Sequence, residues 1–283
     1  MLTILEVLQR TTAFFTEKQI ENARLNAELL LAHGLGLSKR MDLYMEFDRP
    51  LQESDLERVR PLVKRRVSGE PIQYIEGKAN FMGVNFNVDS RVLIPRPETE
   101  ELVERIGVRF EDESPQSILD LGTGSGAIAL SLARMFPEAG VVATDISAEA
   151  LAVAGKNAEE QGLAERVSFI ESNWFDGIEG KFDLIVSNPP YLSQAEVDQS
   201  HPEVREHEPL EALVSPGVKG GDYLLSIMAE ALPFLTTGAM LAMETGIDHR
   251  EALECKASEL GYQNILHEGD LSGRDRFFFA GKA

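Results

Sequence analysis

The tetrapeptide Asn188-Pro189-Pro190-Tyr191 follows the strand-like run FDLIVS, so it belongs at a strand's carboxyl end. Two consecutive prolines lock the backbone and remove N–H donors that would compete for nearby carbonyls. The Asn188 side-chain oxygen and the Pro189 carbonyl then make a rigid pair of acceptors for one planar NH₂ group. Such a group, whether an amide or an aromatic amine, is a poor nucleophile because its lone pair is delocalised. Holding both N–H bonds favours a pyramidal nitrogen and aims its electrons at an electrophilic methyl. Attack then needs an in-line approach over about 3–3.5 Å rather than a general base. Tyr191 is expected as an aromatic wall over the planar group. An isolated Asn-Pro is an ordinary turn signal; here it follows a strand, 62 residues past Gly126 of a glycine-rich loop, and the combination points to chemistry.

That loop lies in SILDLGTGSGAIAL, which passes from strand to helix through Gly122, Thr123, Gly124, Ser125 and Gly126. Glycines there permit a tight turn and let a ligand approach the N–H groups of a helix start. Gly122, Gly124 and Ala127 also satisfy a dinucleotide pattern, so the loop alone implies only a nucleotide-like cofactor. Asp120, two residues earlier, helps to decide. A carboxylate there repels a pyrophosphate but attracts the α-ammonium of a methionine moiety, which favours S-adenosylmethionine. Asp145, closing the strand VVATD, is placed to accept ribose hydroxyls, which either NAD or S-adenosylmethionine presents. The alternative for both carboxylates is capping of the turns that follow them.

These loops need a scaffold, and the pattern after Pro97 supplies one. Ser117–Leu121, Val141–Thr144, Val167–Ile170, Phe182–Ser187 and Met240–Met243 read as strands. Ala127–Met135, Ala148–Gln161 and Asp222–Leu235 read as helices between them. The alternation predicts an α/β fold with an open, doubly wound sheet whose ligands sit beyond the carboxyl ends of the strands. The tail Arg276–Ala280 is expected to add an antiparallel edge. Residues 1–71 read as a small all-α domain, with Ile4, Leu5, Leu8, Leu25, Leu29 and Leu30 at helical spacing. Ser54 with Glu57 suggests a helix start, and Gly69 with Pro71 a stop. Residues 72–95 read as a β-hairpin linker built from QYI, NFMGVNFNV and RVLI, leaving 96–283 as the catalytic domain.

Charge sorts the possible partners. The 283 residues carry a net charge of −20. Residues 1–75 hold 11 acidic and 11 basic side chains, so the later part carries the whole excess. A field of that sign repels phosphate backbones, which makes nucleic acid an unlikely direct substrate and favours a neutral or basic partner. It also serves solubility. One cysteine, Cys255, excludes an intrachain disulfide and fits a reducing, cytoplasmic setting. The amino-terminal segment lacks the form of a secretory signal, and no apolar run is long enough for a membrane span.

The chain resembles the S-adenosylmethionine-dependent amino methyltransferases, and specifically the release-factor glutamine N5-methyltransferases, over nearly its whole length. The likeness rests on GEPIQYIEGKANFMG at 69–83, VLIPRPETEELVE at 92–104, LDLGTGSGAIAL, VVATDIS, SNWF at 172–175 and SNPPYL. The NPPY element is shared with adenine and guanine methyltransferases; IPRPETE narrows the family. The resemblance implies a seven-stranded Rossmann-like methyltransferase sheet. It implies that Gly122–Gly126, Asp145, Trp174 and Asn188 contact the cofactor, and that Asn188, Pro189, Pro190 and Tyr191 grip a glutamine. The implied substrate is the Gly-Gly-Gln loop of peptide chain release factors. Arg96, Pro97, Glu98 and Thr99 would border the site; the family often has Asp at the position of Glu98. The competing reading is a nucleic-acid amino methyltransferase acting on an exocyclic base amine, which must flip the base and hold phosphates. A cofactor-binding scaffold without chemistry is the third.

Other residues carry weaker signals. Trp174, without the resemblance, is as readily a core residue as a platform for adenine. His201 and His207 match no zinc spacing. The stretch 192–221 is long for a connector and could cover a substrate. Cys255 reads as a buried structural thiol. Arg58, Arg60 and Lys64–Arg66 form either a solvated helix face or a contact for RNA or an acidic patch.

Overall fold

The computed structural model describes residues 1–217 and 219–283; Val218, within the 192–221 stretch, lies outside the described residues. In chain order the helices are α1 Ile4–Glu17, α2 Ala23–Gly34, α3 Asp42–Met45, α4 Glu53–Val67, α5 Ile72–Glu76, α6 Pro97–Arg109, α7 Ala127–Met135, α8 Ala148–Glu160, α9 Gln194–Gln199, α10 Pro202–His207, α11 Asp222–Ala231 and α12 Arg250–Leu260. The strands are β1 Lys78–Phe81, β2 Val84–Asn87, β3 Ser117–Leu121, β4 Gly140–Asp145, β5 Val167–Glu171, β6 Phe182–Ser187, β7 Leu235–Glu244, β8 Gln263–Gly269 and β9 Asp275–Gly281. Two compact units result: Met1–Lys78 with His201–His207, and Ala79–Ser200 with Glu208–Ala283.

The first unit is helical. Thr3 caps α1 through a reciprocal box with Glu6, satisfying helix-start N–H groups that would otherwise lack partners. Ile4, Leu8, Leu30, Leu31 and Leu43 bury one apolar face each against the others, each burial worth about 2 kcal/mol. Leu25, although in phase, is 41% exposed. The cap of α4 is Gln52 with Asp55, two residues before the expected Ser54 and Glu57. Arg58 and Arg60 pair with Asp55 and Glu53, and Arg65 with Glu70, so those cations are matched by carboxylates on the same segment. Arg66 is buried: its Nε donates to Asn26 (2.7 Å), one terminal nitrogen donates to the Glu70 carbonyl, and the other to Glu203. The QYI segment, expected as strand, is the helix α5, ended by Gly77 in the left-handed region.

The second unit holds a seven-stranded sheet of order β5-β4-β3-β6-β7-β9-β8. Strands β3 to β7 are parallel, and β9 runs antiparallel to both its neighbours. Period-two alternation sorts side chains to its faces: Ile118, Leu184 and Val186 join one core, and Leu119, Leu121 and Ile185 the other. Both faces are covered, so the central strands read as continuous apolar runs. The Arg276–Ala280 segment is not an edge, as expected, but an inner strand. The edge is β8, whose residues are at most half-buried and lack clean alternation, which is why it escaped the pattern. The hairpin β1–β2 turns at Met82-Gly83, while RVLI forms no strand.

The site depends on the connection order. From β3 the chain winds outward through β4 to β5, then crosses to β6 on the other side of β3. The direction of winding reverses between β3 and β6, which opens a crevice at their carboxyl ends. Leu121 and Ser187, the last residues of these strands, are register partners. The glycine loop and the NPPY segment therefore leave adjacent strands side by side. Among the described residues, no helix is long and apolar enough to cross a membrane.

Candidate active site

A cavity of about 710 Å³ opens at this point. Its wall includes Gly122, Thr123, Gly124, Ser125, Asp145, Trp174, Asn188 and Pro190, with Thr99 and Arg96 from the start of α6 and Leu210–Ala212 from the 192–221 stretch. Gly122 and Gly124 take φ of +71° and +55°, a conformation that side chains disfavour. Gly126 shares the positive φ (+80°) and also serves packing. A Cβ there would come within 3.2 Å of the Ala154 Cβ, so its absence lets α7 pack against α8, and the residue does not line the cavity.

Asp145 both lines the cavity and braces the loop. Its Oδ2 accepts from the Gly124 N–H (2.9 Å) and its Oδ1 from the Ser147 N–H (3.0 Å). The carboxylate lines the cavity and, with about four acceptor positions, is not exhausted by these backbone donors. Burial raises the Asp145 pKa, opposed by the backbone N–H donors. Asp120 departs from the expected arrangement. It is fully buried behind the loop rather than on the wall. Its Oδ2 accepts from the Thr123 hydroxyl (2.6 Å) and the Ala129 N–H (3.1 Å), which is the capping role. Oδ1 has no partner among the described residues, and burial lifts the carboxyl to about 7.

Trp174 lines the cavity beside the glycine loop, with its ring 3.6 Å from where a Gly122 Cβ would lie. Its backbone is left-handed (φ +51°), a strained state for a bulky residue, costing about 1–2 kcal/mol. The Ser172 hydroxyl, donating to the Trp174 and Asp176 carbonyls, stabilises that turn, and Tyr223 packs edge-on against the indole.

Only Asn188 and Pro190 of the tetrapeptide reach the wall; Pro189 is buried and Tyr191 is turned to other work. The Tyr191 hydroxyl donates to Glu244 Oε1 (3.0 Å), so the ring is a buttress rather than the expected cover. Glu244, at the carboxyl end of β7, is 1% exposed. Its Oε2 accepts from the Thr99 hydroxyl (2.6 Å), and Thr99 Oγ1 accepts from Asn188 Nδ2 (3.0 Å). Burial raises the Glu244 pKa; the Thr99 and Tyr191 donors and the nearby Arg276 oppose it, and Glu98 adds to it. Burial and the Glu244 charge push the Tyr191 phenol far up, so it stays a donor. Gly220 presses on the Tyr191–Leu192 backbone, where a Cβ would fall 2.5 Å from the Tyr191 carbonyl oxygen. Sequence reading missed Glu244 and Arg276 and assigned Thr99 no role, because these partners lie far from Asn188 along the chain.

Arg96, on the wall, pairs with buried Glu208 at 2.6 Å. Cys255 is exposed rather than buried, since Leu253 and Ala257 define the inward face of α12. The 192–221 stretch contributes α9 and a 3₁₀ turn, Leu210–Ala212, to the cavity's surroundings.

Comparison with known proteins agrees in fold and family. Residues 6–77 match the PrmC N-terminal domain, and residues 99–207 the methyltransferase small domain. A methyltransferase structure from Pyrococcus furiosus superposes with a TM-score of 0.52 at 19% identity, covering 71% of this chain and 90% of that one. The release factor glutamine methyltransferase of Chlorobaculum tepidum is 46% identical over 256 residues, 87% of this chain and 86% of the relative. That of Geobacter sulfurreducens is 42% identical over 275 residues, covering 97% and 95%. With its crevice, its asparagine at the end of β6 and these relatives in hand, the chain belongs to the release factor glutamine methyltransferase family.

Proposed function

We propose that this chain transfers the methyl group of S-adenosylmethionine to the side-chain amide nitrogen, N5, of the glutamine in the Gly-Gly-Gln motif of peptide chain release factors. The observation that carries this reading is that Gly122–Ser125 and Asn188, leaving adjacent parallel strands, line one cavity. The wall suits the cofactor: the two positive-φ glycines leave room for a close approach, Asp145 keeps acceptor capacity for ribose hydroxyls, and Trp174 offers a flat apolar face. Asp120, behind the loop, holds the loop's shape through Thr123 and the Ala129 N–H rather than by direct contact with the cofactor. When bound, S-adenosylmethionine supplies an electrophilic methyl: the N–CH₃ bond forms as the S–CH₃ bond breaks, its electron pair staying on sulfur.

This chain's own residues then bind and orient. Asn188 Oδ1 accepts one N–H of the glutamine amide, and the Pro189 carbonyl, next to it in the chain, is the second acceptor in this reading. Pro190 bounds the slot. One amide proton leaves for solvent past these acceptors once nitrogen has taken the methyl. The helical domain helps to hold the release factor, and the reaction takes place in the cytoplasm. The acidic balance of the chain favours a protein over a nucleic acid substrate.

The test is incubation with labelled cofactor and purified release factors, followed by mass spectrometry of the acceptor. Label is expected on the Gly-Gly-Gln glutamine and none on an acceptor carrying Gln→Ala. Label on ribosomal RNA or DNA, with none on release factors, would transfer the assignment to base-amine methylation.

A further inference from the structure

Resting on the reading above, we propose that Glu244 acts through Thr99 as a positioning residue that fixes which end of the Asn188 amide faces the incoming NH₂ group. An asparagine side chain is ambiguous: its oxygen and nitrogen ends are nearly the same size, and only hydrogen bonding distinguishes them. The proposed reaction needs the oxygen end in the cavity, because a second NH₂ there would meet the substrate NH₂ donor to donor.

The polarity is set three residues away from the chemistry. A carboxylate can only accept, so ionised Glu244 takes the single proton of the Thr99 hydroxyl (2.6 Å). Thr99 Oγ1 is then left with lone pairs alone and can only accept from the Asn188 side (3.0 Å). That requirement turns Nδ2 inward and leaves Oδ1, which has no protein partner among the described residues, for the cavity. Burial raises the Glu244 pKa, and besides Thr99 two of the groups facing it oppose that burial. Tyr191 donates to the other oxygen, and Arg276 from β9 donates to the Tyr191 hydroxyl (3.4 Å) with its guanidinium 5.9 Å from the ring centre. Glu98, on the first turn of α6, is the opposing charge. None of these residues needs to touch the substrate for the chain of bonds to have one direction.

The experiment compares Thr99→Val, which keeps the shape and removes the hydroxyl, with Thr99→Ser, which restores it, in steady-state methylation of a release factor. Thr99→Val is expected to lower kcat at least about tenfold while the Kd for S-adenosylmethionine, by calorimetry, changes by less than about threefold; Thr99→Ser is expected to recover most of the rate. Glu244→Gln, near-isosteric but able to turn either end of its amide toward Thr99, provides an independent arm: its kcat should fall, by less than that of Thr99→Val, with no drop in melting temperature, a combination that a merely structural carboxylate would not produce. Unchanged kcat in Thr99→Val, or no recovery in Thr99→Ser, overturns the proposal. These results are read against the unaltered protein, whose own failure to methylate release factors would instead sink the functional assignment.

Discussion

Glu28 and Glu244 are the same residue type, 2% and 1% exposed, and each is held by three hydrogen-bonding neighbours or fewer, yet they do opposite things. Glu28, in the helical unit, accepts from the guanidinium groups of Arg24 (2.6 Å) and Arg40 (2.9 Å) and from the Tyr44 hydroxyl (2.5 Å). Burial pushes its carboxyl up, but Tyr44, Arg24 and Arg40 together outweigh that and hold it below the usual range. Glu244 receives only neutral hydroxyls directly, with Arg276 standing off, and burial wins. Charged donors neutralise a buried carboxylate and make it a brace. Neutral donors leave its charge partly unmet and pass its direction outward, here through Thr99 to Asn188.

The largest effect is expected at Asn188, the outermost member of the Glu244 chain. Asn188→Ala should cut methyl transfer by about a hundredfold or more, as loss of a preorganised polar contact to the reacting group does; steady-state rates with circular dichroism to verify folding will check this. Glu28→Gln should leave the rate at saturating release factor unchanged but lower stability by about 2 kcal/mol, because the half-exposed arginines recover part of their hydration. The sign with pH follows from its lowered pKa. The Glu28 contribution is fully present above the ordinary value near 4.5 and is lost as pH falls through the folded value, so urea titrations at pH 7 and pH 3.5 should show the Glu28→Gln deficit shrinking in acid.

Asp120 sharpens the contrast, being buried with a hydroxyl and one N–H as its donors. Its raised pKa gives the opposite sign: its contribution is present below 3.8 and is lost as pH rises to about 7. Asp120→Asn should therefore gain on the unaltered protein as pH rises from about 4 to about 8, read from urea midpoints. For Glu244→Gln the same sign holds: burial raises the Glu244 pKa, so the variant should gain on the unaltered protein as pH rises, read from the same urea midpoints.

Local patterns made the scaffold readable. β3, β6 and α7 run over the residues expected, because apolar runs between turn signals are dictated by burial on both sheet faces. Asn188, Gly122–Ser125, Asp145 and Trp174, which line the cavity, sit in contiguous motifs that the sequence displays. The polar chain behind Asn188 was not, for its links span 89 residues to Thr99 and 145 more to Glu244. A glutamate ending a strand carries no mark that distinguishes a solvent-facing side chain from one turned under a neighbouring loop. The same limit hid β8 and misread Ile72–Glu76: a five-residue segment with three β-formers follows its tertiary contacts rather than its propensity. Asp120 failed differently. Its motif was seen, but direct contact and capping use the same residue at the same place, and only packing separates them.

The insertion of β9 between β7 and β8 has a consequence for how the protein is made. β9 leaves the ribosome after both strands it must separate, so until it emerges β7 has no partner on that side and β8 has nothing to pair with. Arg276, and the Phe277 that pairs with Glu244 in the sheet, arrive with it. A nascent chain stalled before residue 275 thus holds every motif a reader would recognise, from glycine loop to NPPY, without the strand that completes their support. Such an intermediate exposes two unsatisfied strand edges and is a natural client for chaperones or proteases.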